Sequence, residues 1–242
     1  MPFEKDFYQK YDVEVDFVGH PLLDVIPQFK SSNHWKKQYD IPSEKPIIAL
    51  LPGSRKQEIK TVLMTMLEMV NRFKDYHFVI AAAPSQPLRF YHQFILDRYK
   101  EQVSLVPNAT YDILSSAKAA LVTSGTATLE TALFDVPQVV CYKGNPISYQ
   151  IAKRLVDVAY ISLVNLIMEG PIVKELIQSE FTAEQLAEEL KRILQTDVVR
   201  RMQSDYTHLR ERLGNSGASE RVAELIVSSF CLLYTSPSPR DS

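Results

Sequence analysis

Short apolar runs, each too short for a helix, alternate along most of this chain with longer stretches in which apolar residues return every three or four positions. That alternation limits the fold more than any other feature. Residues 15–18, 47–51, 78–82, 103–106, 119–122 and 138–141 read as strands, several apolar on both faces, as strands covered from two sides must be. Between them, residues 59–73 carry Ile59, Leu63, Met66 and Val70 at helical spacing, and residues 87–99, 111–117 and 126–134 also read as helices. This succession requires parallel strands joined by crossover helices: an α/β fold with a doubly wound parallel sheet. From residue 147 onward the pattern is almost wholly helical, over 147–156, 172–178, 183–194, 197–213 and 219–230, so a helical C-terminal extension is expected. In such a sheet the ligand lies beyond the carboxyl ends of the strands.

Charge and composition remove several classes of function. With 27 Lys and Arg against 29 Asp and Glu, the net charge of -2 gives no basic footprint for a nucleic acid backbone. No apolar run approaches the roughly 18 residues of a bilayer helix, and the start Met1-Pro2-Phe3-Glu4-Lys5-Asp6 does not read as a signal peptide. Two cysteines, Cys141 and Cys231, are too few for a disulfide framework or a metal site and suit a reducing compartment. Cys141 reads as a small buried hydrophobe at a strand end. The histidines His20, His34, His77, His92 and His208 show no metal-ligand spacing. His20 follows a strand directly and is read as part of a structural turn, with a ligand contact as the alternative.

The ends read as foreign to the pattern between them. Residues 1–11 run into the first strand without a helix, which suggests truncation, and residues 231–242 resemble an in-frame sequencing adapter and are expected to be non-native. The expected division is therefore an inter-domain remnant at 1–20, a ligand-binding domain at 21–200, C-terminal helices at 201–230 and the tail.

With only 7 glycines in 242 residues, a glycine at a strand-to-helix turn carries information. The strand 47–51 ends in Pro52-Gly53-Ser54-Arg55 before a helix. A small-residue turn there lets backbone N–H groups approach a phosphate, and Arg55 can grip it with a charge-assisted fork. The Walker spacing is absent. An N-cap by Ser54 beside a surface arginine is the alternative. A second turn of small residues, Thr123-Ser124-Gly125-Thr126-Ala127-Thr128, follows the strand 119–122 and suits a diphosphate at the start of a helix. If Thr126 caps that helix, Glu130 comes one residue too late for a capping box, so it is a candidate to accept hydrogen bonds from a ribose diol. A favourable charge near the helix start is the bland alternative. Asn165, inside the apolar run Tyr160-Ile-Ser-Leu-Val-Asn165-Leu-Ile-Met168, must bond either to backbone in a turn or to a ligand phosphate or sugar.

Val15-Asp-Phe-Val-Gly-His-Pro-Leu22, Leu50-Leu-Pro-Gly-Ser-Arg55, Thr123-Ser-Gly-Thr-Ala-Thr-Leu-Glu130, Ile151-Ala-Lys-Arg-Leu155 and Ile161-Ser-Leu-Val-Asn-Leu166 together resemble lipid-A-disaccharide synthase, in order and spacing, over residues 2–230. The resemblance implies a glycosyltransferase of the GT-B type, of which this chain is the Rossmann-like donor half. It implies transfer of 2,3-diacylglucosamine from UDP to 2,3-diacylglucosamine 1-phosphate, with inversion and release of UDP. Ser54, Arg55, Ser124, Gly125, Thr126, Glu130 and Asn165 are the substrate-binding residues it implies: Arg55 on the diphosphate, Glu130 on the ribose, Asn165 on the diphosphate or donor sugar. No metal or other cofactor is expected. The general base and the lipid-facing acceptor surface belong to the family's N-terminal half, so this chain alone is expected to bind UDP weakly and transfer no sugar. The family setting is cytoplasmic and peripheral to the bacterial inner membrane. Its C-terminal helices pack on the N-terminal half or a second subunit, with Leu209, Leu213, Val222, Leu225 and Ile226 as the apolar candidates for such contact, and completion of the local core by these residues as the alternative. Competing readings are a UDP-N-acetylglucosamine 2-epimerase or another GT-B transferase, and a catalytically silent nucleotide-binding module.

Overall fold

A computed structural model describes residues 1–32, 34–42, 44–144 and 160–235. The chain divides into two compact units, one formed by Lys30–Leu209 and the other by Met1–Phe29 with Arg210–Ser242. The larger unit holds a six-stranded sheet: β1 (Ile47–Leu51), β2 (His77–Ala82), β3 (Val103–Pro107), β4 (Ala117–Val122), β5 (Gln138–Tyr142) and β6 (Lys174–Ile177). Their order is β3-β2-β1-β4-β5-β6, and every pairing is parallel.

All residues of β1 and β2 are buried, because helices cover both faces of the sheet. Ile47, Ala49, Leu51, Val79, Ala81, Ala120 and Val122 pack on one side with Ile113 and Leu114 of the helix Thr110–Ser116. The alternate residues Ile48, Leu50, Phe78, Ile80 and Leu121, fully buried, belong to the opposite side. The helix Lys56–Arg72 buries Ile59, Val62, Leu63, Met66, Leu67, Met69 and Val70 and packs against the helix Ala183–Ile193. At roughly 2 kcal/mol for each large side chain withdrawn from water, this stripe alone outweighs the exposed ion pairs on the same helix.

Five of the six expected strands form. Residues 15–18 have no regular secondary structure and pair in no sheet, and the sixth strand is β6, where a helix was expected over 172–178. The cause is tertiary. Lys174–Ile177 joins the edge of β5 in register Val139↔Lys174 to Tyr142↔Ile177, and ladder pairing overrides a sequence containing Lys174 and Glu175. The expected helix over 87–99 is a short helix, Leu88–His92, followed by a 3-10 turn, Asp97–Tyr99, with Phe90, Tyr91, Phe94 and Tyr99 buried. The expected helix over 147–156 lies outside the described residues.

In the smaller unit, Pro2–Gln9 is helical, which corrects the reading of 1–11 as helix-free. The C-terminal helix runs over Ala218–Thr235, past the start of the suspected tail. Asp24 receives the backbone N–H groups of Gly217, Ala218 (3.3 Å) and Ser219 (3.0 Å) and the Ser219 hydroxyl (2.9 Å) at the start of that helix. These donors hold its carboxyl below the usual range, the Ser219 backbone bond contributing most. Arg221 donates to the carbonyls of Val18, Asn215 and Ser216 at 2.7–2.9 Å. Of the apolar candidates in this region, Leu209 and Leu213 are fully buried, while Val222, Leu225 and Ile226 are exposed. Among the described residues no helix is long and apolar enough to cross a membrane.

His77 begins β2, buried, with Nε2 2.9 Å from the Ser104 hydroxyl of β3. Burial, helped by the charge of Lys45, lowers its pKa from an ordinary 6.5 to about 4. Between those values the unfolded chain binds the proton and the folded chain does not. Stability from this group is therefore full above pH 6.5 and falls on acidification toward pH 4, by at most about 1.4 kcal/mol per pH unit. Urea unfolding at pH 7 and pH 4.5 should reveal this loss, and His77→Gln should shrink the difference.

Candidate nucleotide-binding site

The strand order reverses direction between β1 and β4. From β1 the chain crosses through Lys56–Arg72 to β2, and from β4 through the helix Thr126–Leu133 to β5 on the other side. Right-handed crossovers put those two helices on opposite faces, so the turns after β1 and β4 separate and leave a crevice at their carboxyl ends. Leu51 and Val122 are paired, and Thr123 donates both its backbone N–H (2.9 Å) and its hydroxyl (3.1 Å) to the Leu51 carbonyl. Both turns singled out in the sequence thus start from one shared point.

In the first turn, Gly53 has φ +95°, and a Cβ there would sit 2.7 Å from Glu58 Oε2. Ser54 is exposed and does not cap the helix. Arg55 occupies the N-cap, and Glu58 reaches back to its backbone N–H (3.4 Å) and to Nη1 (3.0 Å). The Arg55 side chain remains 82% exposed, so among the described residues an anion arriving at this turn has only the ion pair with Glu58 to displace. The Ser54 carbonyl accepts the Ser85 hydroxyl (2.9 Å) and Gln86 Nε2 (2.8 Å). Sequence reading missed Ser85 and Gln86; the available signal was their position just beyond the strand 78–82, at the same edge of the sheet.

In the second turn the N-cap is Gly125, not Thr126, with φ +116° and ψ −159°, a conformation essentially confined to glycine. A Cβ there would meet nothing within 4 Å, so the constraint is conformational rather than steric. Ser124 and Gly125 are partly exposed and Thr126 is exposed at the first turn of the helix, where N–H groups lack helical partners. The third helical residue is Thr128, whose hydroxyl bonds back to the Gly125 carbonyl at 2.8 Å. Glu130, the fifth, is excluded from capping.

Glu130 is half-buried, and burial raises its carboxyl above the usual range, opposed by a hydrogen bond from the Tyr111 hydroxyl to Oε1 at 3.2 Å. Burial, then the charge and hydrogen bond of Glu130, push the Tyr111 phenol up to about 12. Tyr111 is therefore protonated and donating throughout the physiological range.

The geometry takes Asn165 away from a ligand role. It is buried; Oδ1 accepts the Val173 N–H (2.9 Å), while Nδ2 donates to the Val173 carbonyl (2.8 Å) and to Glu175 Oε1 (2.9 Å). Both amide protons are spent inside the protein. Glu175 also receives the N–H groups of Ile161 and Ser162 and the Ser162 hydroxyl at 2.7–3.0 Å, tying the start of the helix Leu163–Met168 to β6. Of the two readings of Asn165, the structural turn is the one formed. His20 likewise serves a turn, Nδ1 accepting the Leu22 N–H at 3.2 Å. Cys141 is fully buried, and burial pushes its thiol up. Among the described residues no cluster of three or more His, Cys, Asp or Glu could hold a metal ion.

An all-parallel sheet in this order, with glycine-bearing turns at the reversal, defines a Rossmann-like α/β domain, a fold whose ligands lie beyond the carboxyl ends of the strands. The family model described as lipid-A-disaccharide synthetase matches residues 1–229, and the chain belongs to that family. A lipid-A-disaccharide synthase of Syntrophus aciditrophicus is 37% identical over 233 residues, covering 94% of this chain and 61% of the relative. One of Coxiella burnetii is 34% identical over 229 residues, covering 93% and 60%. The chain therefore spans about three fifths of the length of these curated relatives. Among solved structures, the Methanocaldococcus jannaschii UDP-GlcNAc 2-epimerase in complex with UDP-GlcNAc and UDP aligns with TM-score 0.61 at 14% identity, over 93% of this chain and 58% of that one. A glycosyltransferase of Rickettsia africae aligns with TM-score 0.57 at 12% identity, over 88% and 56%. At these identities the likeness is one of fold, the Rossmann-like half of the GT-B class.

Two substitutions probe the supports of the site. Gly125→Ala should cost about 1 to 3 kcal/mol through backbone strain alone. Asn165→Ala, which strands the Val173 N–H and carbonyl and a Glu175 oxygen, should cost about 2 to 4 kcal/mol. Chemical denaturation of each variant measures both.

Proposed function

We propose that this chain forms the donor-binding half of a lipid-A-disaccharide synthase, which moves 2,3-diacylglucosamine from UDP to 2,3-diacylglucosamine 1-phosphate and releases UDP. The observation that carries the reading is the meeting of the Gly53–Arg55 and Ser124–Thr126 turns at the strand reversal, with an exposed guanidinium on one and, on the other, the N–H groups of Thr126 and Ala127, which have no partner among the described residues. The family match supports the substrate class proposed.

In this reading the diphosphate lies across the two turns. Ser54, Ser124, Gly125 and Thr126 give it hydrogen bonds, and Arg55 gives a fork of charged donors. Glu130 follows Thr126 by four residues, about 6 Å along the helix, and accepts from the ribose diol of a nucleotide whose phosphates sit at the helix start. Inverting transfer breaks the bond between the anomeric carbon and the diphosphate oxygen while the acceptor hydroxyl attacks from the opposite face. Negative charge then grows on the departing UDP, where donors already fixed by the fold stabilise it without reorganising. A general base must take the proton of the attacking hydroxyl within hydrogen-bond reach. We assign that base and the lipid-facing surface to the portion of the enzyme by which its relatives exceed this chain. We place the whole enzyme at the cytoplasmic face of the inner membrane, and give the exposed Val222, Leu225 and Ile226 a role in contacting that portion or a second copy.

UDP titrated into the chain by calorimetry tests the reading. Arg55→Ala should weaken binding by about 1.5 to 3 kcal/mol, roughly ten- to a hundredfold. Unchanged affinity in the double variant Arg55→Ala, Glu130→Ala would overturn the assignment of the site.

A further inference from the structure

The Tyr111–Glu130 pair has a feature that neither the sequence pattern nor a simple helix charge explains. Tyr111 belongs to the helix Thr110–Ser116 after β3, and Glu130 to the helix Thr126–Leu133 after β4, so the contact joins two crossover helices. A carboxylate needed only to complement a helix start gains nothing from a phenol, and half-burial makes its charge costlier than at the surface. The phenol is itself braced. Its ring packs on Phe134, four residues beyond Glu130 on the same side of that helix, with centroids 5.2 Å apart. Phe134 in turn packs against the core that contains Ile113 and Leu114 of the Tyr111 helix. The hydroxyl is thus fixed by packing at one end and by Glu130 at the other. It occupies Oε1, and among the described residues nothing donates to Oε2.

A carboxylate with one oxygen anchored and the other without a protein donor is arranged to receive a hydroxyl in a set direction. We propose that Tyr111 is a positioning residue for the donor nucleotide: by holding Glu130 Oε1 it presents Oε2 to the 2′-hydroxyl of the ribose diol, and so makes the site prefer ribonucleoside over 2′-deoxyribonucleoside diphosphates. The inference rests on the ribose role of Glu130 proposed above and adds the group that makes that role selective. Losing an anchored acceptor costs a ligand that uses it and leaves indifferent a ligand that does not.

The test compares Kd for UDP and for 2′-deoxy-UDP by calorimetry on the chain, on Tyr111→Phe and on Glu130→Gln. Phenylalanine keeps the ring packing and removes only the hydroxyl. In Tyr111→Phe the ratio of the two Kd values should fall roughly three- to tenfold, almost all of it from weaker UDP binding. Glu130→Gln should bring the ratio close to one. An unchanged ratio in Tyr111→Phe beside a collapsed ratio in Glu130→Gln overturns the role of Tyr111 and leaves that of Glu130 standing. If Tyr111→Phe weakens both ligands equally, its role is structural and the proposal is again overturned. A ratio unchanged in Glu130→Gln, or no UDP binding by the unaltered chain, overturns the ribose reading and this inference with it.

Discussion

Everything at the carboxyl edge depends on the pairing of β1 with β4, the place where a right-handed chain must send its next helix to the opposite face. Six parallel strands could be ordered in other ways without loss of buried area, but only a reversal opens a crevice between neighbouring turns. Here the reversal is fastened twice by Thr123, through backbone and hydroxyl, to the carbonyl of Leu51. The glycine turns follow from that. Each strand enters the edge fully buried and must leave it at once for a helix, and Gly53 and Gly125 supply backbone angles that other residues resist.

Much of this was legible because two-sided burial writes itself into sequence. Strands β1, β2 and β4 are nearly unbroken apolar runs, and their boundaries can be read within a residue or two. The strand β6 is different. It lies at an edge, carries Lys174 and Glu175, and is held by pairing with β5 that no local pattern announces. Residues 15–18 fail in the opposite sense, since alternating apolar residues look like a strand whether or not a partner exists.

The site divides along the same line. Turns are local, so Ser54, Arg55, Ser124, Gly125 and Thr126 could be found from composition at strand ends. Supports are not local. Gln86 reaches the Ser54 carbonyl across 32 positions, and Tyr111 reaches Glu130 across 19, distances at which sequence spacing carries no geometry. Asn165 shows the limit most clearly. A buried amide in an apolar run announces only that it has partners, and those partners, Val173 just before β6 and Glu175 within it, lie in a segment that the sequence presented as helix.

The clasp around Asp24 and Arg221 bears on how such a chain is made. Asp24 bonds residues 193 to 195 positions later, and Arg221 bonds the Val18 carbonyl 203 positions earlier. A polypeptide emerging from the ribosome amino end first must therefore leave Asp24 and the Val18 carbonyl without these partners until residues 217–221 have been synthesised. The six strands between them can assemble from neighbouring crossovers during translation, whereas this clasp can close only after all six have been made.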